Sequence, residues 1–221
     1  MAKKFYAALV LLLMFCSVSA FALSNSEYRS MMKNSDFARA DKELNNVWKR
    51  LTKLLSGSAL EQIKSEQREW VSSGRDFKAE ELIDEDYSRV EAYTEAVNQR
   101  VHKLTKIEFT SAKNADCYKH EEANVWLNIR RLKNSQAEAK FLVLWIDGRG
   151  SEAMEIISGK SRIKNGSFSF TDNKHQFEGQ DFHVTINFDG GNSVSVTTPD
   201  PVRFHVGTDE GFEGTYYMNQ K

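Results

Sequence analysis

The hydrophobic period of this chain changes once, and that change decides which folds are open to it. Up to about Lys106 the apolar residues recur at steps of three and four, and beyond it at steps of two. The first spacing puts side chains on one stripe of a helix, the second on one face of a strand, and the two need different packing partners. Helices first and strands after predict an α+β protein: an N-terminal antiparallel helical bundle or hairpin followed by a C-terminal antiparallel β-barrel or sandwich. The expected division is a helical domain over residues 23–105 and a β-domain over 106–221.

In the helical half, Phe37, Ala40, Leu44, Val47, Leu51 and Leu54 share one face of a helix over residues 35–55. Gly57 suits its stop, because a helix end favours a left-handed residue. A second helix is expected from Ser58, with Glu61 completing a capping box. Its stripe reads Leu60, Ile63, Gln67, Trp70, Gly74 and Phe77. Within it Gln67 is read as a hydrogen-bonded core glutamine or a stripe edge, Trp70 as structural, and Gly74 as the site of a close helix approach. The acidic run Asp84-Glu85-Asp86 is read as the N-terminus of a third helix, where carboxylates meet unpaired N–H groups. Val90, Tyr93, Val97, Val101 and Leu104 form that helix's apolar face, and Tyr28, Met31 and Met32 suggest a short helical turn ahead of the first.

In the β half, Val125, Leu127 and Ile129 alternate with polar neighbours, as do Phe182, Val184, Ile186 and Phe188. Further short strands are expected over residues 141–146, 159–163, 167–171, 193–197, 202–206 and 212–217. Asn165-Gly166 and the stretch from Asp189 to Asn192 are hairpin turns. So many short strands with tight turns favour a small barrel or sandwich.

The first 22 residues read as a cleavable secretory signal: Lys3 and Lys4, an apolar run from Phe5 to Ser17, then small residues that place the cut after Ala20 or Ala22. The apolar run falls short of the roughly 20 residues a membrane span needs. Export implies a periplasmic or secreted protein with no transmembrane segment after cleavage. Losing the two lysines takes the formal charge from −1 to −3, too mild and mixed to draw nucleic acid. Only Cys117 outlasts the cut, so no internal disulfide can form, and the thiol is buried, exposed or joined to another molecule.

The stretch from Ala40 to Leu51, the Q-R-x-W at Gln67-Arg68-Glu69-Trp70, and the segment from Ala92 to Arg100 with Leu104 resemble the three long helices of the lysozyme-inhibitor LprI-like N-terminal domain family. The resemblance covers residues 26–104. This chain lacks the paired cysteines that staple those helices in the family. The family's Arg four residues after the Trp, followed by an acid or Asn, is here Gly74, with Arg75-Asp76 one residue late. The stretch from Phe182 to Phe188, then Val194 to Val196, then the F-x-G-x-Y of Phe212, Gly214 and Tyr216, is similar to a β-domain that follows such modules in exported bacterial proteins, a lipocalin-like meander. The resemblance implies a protein that binds a partner such as lysozyme.

No catalytic signature is present: neither G-x-S-x-G, H-E-x-x-H, a phosphate-binding loop nor a dinucleotide fingerprint. Cys117-x-x-His120, beside Asp116, Glu121 and Glu122, lacks the second ligand pair that zinc or copper needs and is read as a polar interdomain segment. His183 and His205 are expected to face solvent. The expectation is therefore a non-enzyme without metal or cofactor: an exported cell-envelope binding protein of the lysozyme-inhibitor kind, or a barrel holding a small ligand inside. Residues 172–181 and 199–213 are the candidate plugs for a partner's cleft.

Overall fold

The computed structural model describes residues 23–146, 152–177, 180–198 and 213–219, with side-chain detail omitted at 173–177 and 180–182. The signal at 1–22, the expected strand at 202–206 and all of the candidate plug at 199–213 but Glu213 lie outside the described residues. Helices precede an eight-stranded antiparallel sheet that curls into a nearly closed barrel, an α+β architecture. The chain divides into two compact units, one ending at Val101 and the other starting at His102, and the division falls inside a helix.

The first unit holds α1 (Asn25–Met31), α2 (Ser35–Leu54), α3 (Gly57–Glu69), α4 (Arg75–Asp84) and the first half of α5 (Arg89–Thr110). Helix α1 starts on a capping box between Ser24 and Glu27, and its Tyr28 packs edge-on against Phe37 of α2 at 5.8 Å. The α2 stripe is buried as its spacing requires: Phe37, Val47 and Leu51 are fully covered. Each such side chain contributes about 1.5–3 kcal/mol by leaving water. Gly57, at φ +60°, makes the left-handed turn into α3. The expected Ser58–Glu61 capping box does not form; Ser56 is the N-cap, and Glu61 pairs with Lys64.

Between α3 and α4 the helix widens into one π turn, Trp70–Gly74, where the Arg75 N–H donates to the Trp70 carbonyl five residues back. The extra residue rotates everything after it. Asp76, Ala79 and Leu82 turn inward, and Phe77, which the simple spacing places on the core stripe, is 68% exposed. Gly74 serves this turn rather than a close helix approach: a Cβ there would meet only its own helix, at Trp70 and Glu69. The acidic run also differs from its reading. Asp84 ends α4 and Asp86 sits in the turn at φ +70°. Helix α5 starts later because Ser88 and Glu91 form a capping box, Ser88 N–H to Glu91 Oε2 at 3.1 Å and Glu91 N–H to Ser88 Oγ at 3.4 Å.

The second unit is built on β1 (Asp116–His120), β2 (Val125–Arg131), β3 (Gln136–Ile146), β4 (Glu152–Arg162), β5 (Ser167–Phe177), β6 (Gln180–Phe188), β7 (Ser193–Thr197) and β8 (Gly214–Met218). The sheet order is β4-β3-β2-β1-β8-β7-β6-β5, so two four-stranded meanders are joined by the pairing of β1 with β8. Inside, Leu127, Ile129, Phe141, Val143, Ile157, Phe168, Val184, Ile186, Val194 and Tyr216 fill one continuous core. Edge strands β4 and β5 meet through side chains: the Ser158 N–H donates to Asp172 Oδ2 at 3.3 Å, and the Phe170 ring lies over Gly159. On the outside, the end of α5 brings Phe109 onto Cys117, Trp126, Leu142 and Leu144. That cover explains why β3 reads as a dense apolar run: both its faces are buried.

A Cβ added at Gly159 would fall 1.9 Å from the Phe170 ring. Gly159→Ala should therefore cost about 1–3 kcal/mol in urea unfolding. Gly191→Ala, where an added Cβ meets nothing within 4 Å, should stay within about 0.5 kcal/mol of wild type. Equal stability of the two variants would refute the seam.

Candidate functional site

In the helical unit the Q-R-x-W motif closes on one buried arginine. Gln67 in the last turn of α3 and Trp70, the first residue of the π turn, both face Arg100 of α5. Arg100 is 5% exposed; its Nε–H donates to Gln67 Oε1 at 2.9 Å and its guanidinium stands 6.0 Å from the centre of the Trp70 ring. Glu66 approaches Arg100 Nη1 at 3.9 Å. Burial pulls the Arg100 pKa down and the Glu66 charge pulls it back up. Gln67 is thus hydrogen-bonded but only half-buried, at the edge of the stripe, and Trp70 is half-buried beneath a cation.

A second polar knot depends on the π turn. It turns Arg75 and Asp76 toward Tyr93, a residue with no exposed surface. Asp76 accepts from Arg75 Nε and from the Leu23 N–H, each at 3.3 Å. Burial first, and the Asp76 charge second, push the Tyr93 pKa up to about 12, while the guanidiniums of Arg89 and Arg75 stand 5.5 and 5.9 Å from its ring centre. Both knots link helices to each other, and Arg100, Arg75 and Asp76 turn inward.

In the second unit, the segment around Cys117 is not the polar connection its composition suggests. It is β1, a strand in the middle of the sheet. Residues three apart on a strand point to opposite faces, which separates the C-x-x-H pair. Cys117 is 2% exposed beneath α5, out of reach of a second molecule. His120 accepts at Nδ1 from the N–H groups of Glu122 and Ala123, at 3.1 and 2.9 Å, so its proton sits on Nε2 and is donated to the Glu213 carbonyl at 3.0 Å. Its ring also packs edge-on against Tyr216 at 4.9 Å. Among the described residues no three His, Cys, Asp or Glu side chains converge as metal ligands. His102, on α5, stands 3.6 Å from Glu152.

Two exterior features of the β-domain can meet a ligand or partner. The candidate plug at 172–181 is for the most part a β-hairpin: β5 and β6 pair as far as Phe177 with Gln180, whereas β7 accompanies β6 only to Thr185. Beside it lies an open groove of about 370 Å³, lined by Ser169, Phe170, Thr171, His183, Val184, Thr185, Thr197 and Thr198. His183 is exposed there, its Nδ1 2.8 Å from the Thr171 hydroxyl, and Ser169 Oγ is 2.8 Å from Thr185 Oγ1. At the groove's end Thr198 donates its N–H and hydroxyl to Glu213 Oε1 at 2.6 and 2.9 Å. Neither exterior feature is a sequence motif; the groove becomes visible only when the register sets hydroxyls of three strands side by side. His205 and the second candidate plug, apart from Glu213, lie outside the described residues. No helix among the described residues is long and apolar enough to cross a membrane.

No protein-family model, no curated protein and no solved structure matches the chain.

Removing the guanidinium or its acceptor should loosen the helical unit. Arg100→Ala and Gln67→Ala should each cost about 1–3 kcal/mol in chemical unfolding. The double variant should cost less than the sum by about 0.5 kcal/mol or more, because the two residues share one interaction. Strict additivity would show that the clamp carries no energy.

Proposed function

We propose that this chain is an exported cell-envelope protein, periplasmic or secreted, that acts by binding another protein through the outside of its β-domain and not by catalysis. The observation that carries this reading is the filled barrel. Phe141, Phe168 and Tyr216 occupy the space where a lipocalin-type barrel keeps its ligand cavity. A molecule entering between the strands would displace packed aromatic rings, so recognition falls to the exterior. The continued pairing of β5 with β6 as far as Phe177 and Gln180 supports the same reading, because a paired segment meets a partner with less ordering cost than a loose loop. The secretory pattern of the first 22 residues supports export.

The one-residue delay of Arg75-Asp76 relative to the LprI-like pattern is what a π turn absorbs. That favours membership of that family despite the missing cysteines, and lysozyme is accordingly the partner to test. The chain from residue 23 onward should inhibit lysis of a bacterial cell-wall suspension by lysozyme, with a Kd of about 1 μM or tighter. Replacing residues 174–179 by a two-residue Asn-Gly turn should abolish inhibition while the circular dichroism spectrum is retained. Absence of both inhibition and binding at that concentration would remove lysozyme as the partner.

A further inference from the structure

The outward rows of this barrel differ in one respect. On β2, β3 and β4 they carry charges, as an ordinary solvated sheet does: Arg130 pairs with Glu138 at 2.7 Å, with Lys140 and Lys160 alongside. On β5, β6 and β7 the described outward side chains are hydroxyls and amides with one imidazole. Ser169 stands opposite Thr185 and Thr171 opposite His183, while Thr185 also stands opposite Thr197. In a chain in which 28% of residues are charged, this run of strands presents neither a lysine nor a carboxylate along its described outward rows. The groove of about 370 Å³ lies on that face, a volume at the lower end of small-molecule sites.

The chemistry of the face limits what it can hold. An anion would need a lysine or arginine, and the groove lining contains neither. A cation would need a carboxylate, and the groove lining contains none; Glu213, at its end, already accepts two hydrogen bonds from Thr198. An apolar ligand would strip water from hydroxyls without replacing its hydrogen bonds. A neutral polyol replaces them. Each hydroxyl offers one donor and two acceptor sites, and the Ser169–Thr185 and Thr171–His183 contacts use only part of that capacity. The groups repeat at about 4.8 Å from strand to strand on a rigid ladder, so little ordering is required on binding.

We propose that the outward groove of β5–β7 is a binding site for a neutral saccharide, with Ser169, Thr171, Thr185 and Thr197 as its hydrogen-bonding floor. The site belongs to the β-domain alone and does not depend on a protein partner.

The test is a nuclear magnetic resonance titration of the full mature chain, labelled with ¹⁵N. The probes are three neutral trisaccharides, chitotriose, maltotriose and cellotriose, with a sulfated heparin disaccharide as the charged comparator. At least one neutral trisaccharide should shift the amides of these four residues saturably, with a Kd of about 1 mM or tighter. Thr185→Val and Thr197→Val keep the β-branched shape and remove the hydroxyl, and each should weaken binding about tenfold at unchanged melting temperature. The proposal is overturned if no neutral trisaccharide saturates these signals, if the shifts fall elsewhere, or if only the sulfated disaccharide binds. It is overturned equally if folded valine variants bind as wild type does. The wild-type titration decides the matter alone if either variant fails to fold.

Discussion

Everything in the β-domain depends on the pairing of its first strand with its last. Without β1 against β8 the sheet would be two separate four-stranded meanders, each with an uncovered apolar face. The ladder between them is short, with Tyr118 opposite Met218, Lys119 opposite Tyr217 and His120 opposite Tyr216. His120 reinforces it from one side: it holds two N–H groups of its own chain through Nδ1 and the Glu213 carbonyl through Nε2. Gly214, at φ +144°, leaves the room this needs, since a Cβ there would fall 2.5 Å from His120 Nε2. Once the joint is made, Tyr118 and Tyr216 complete a core shared by both meanders.

The filled core has a functional consequence. A barrel whose described interior is packed with aromatic and aliphatic side chains leaves recognition to its rims and its outer wall. The two halves of the wall are built differently. The end of α5 covers part of β1–β4, where Lys106 sits 4.3 Å from the centre of the Trp126 ring and Asn128 donates to the Phe109 carbonyl at 2.7 Å. On β5–β7 the described outward rows are uncharged and rich in hydroxyls, beside the paired ends of β5 and β6. The readings offered above for protein and saccharide recognition both use this second half.

How much of this is legible in the sequence varies with how many faces of an element are covered. Helix α2 has one buried stripe and one wet one, so its spacing reads directly as structure; so does β6, where Val184 and Ile186 alternate with His183 and Thr185. Strand β1 is opaque for the opposite reason. Cys117 and Tyr118 are both buried, on opposite faces, and the alternation that marks a strand disappears. The π turn is nearly silent as well. It is a phase slip that a period of 3.6 cannot represent, which is why Phe77 reads as core and lies outside it. The acidic residues at 84–86 match a helix start in composition, but Ser88 with Glu91 offers the reciprocal cap and sets the boundary.

The central claim is that the described interior of the barrel is packed with its own side chains, and a titration with lauric acid tests it directly. Aromatic-ring signals of Phe141, Phe168 and Tyr216 should stay unchanged as the fatty acid is added, because those rings already fill the space between the meanders. A saturable shift of all three, with the fold intact, would show a cavity that opens to an apolar ligand, and would contradict the account.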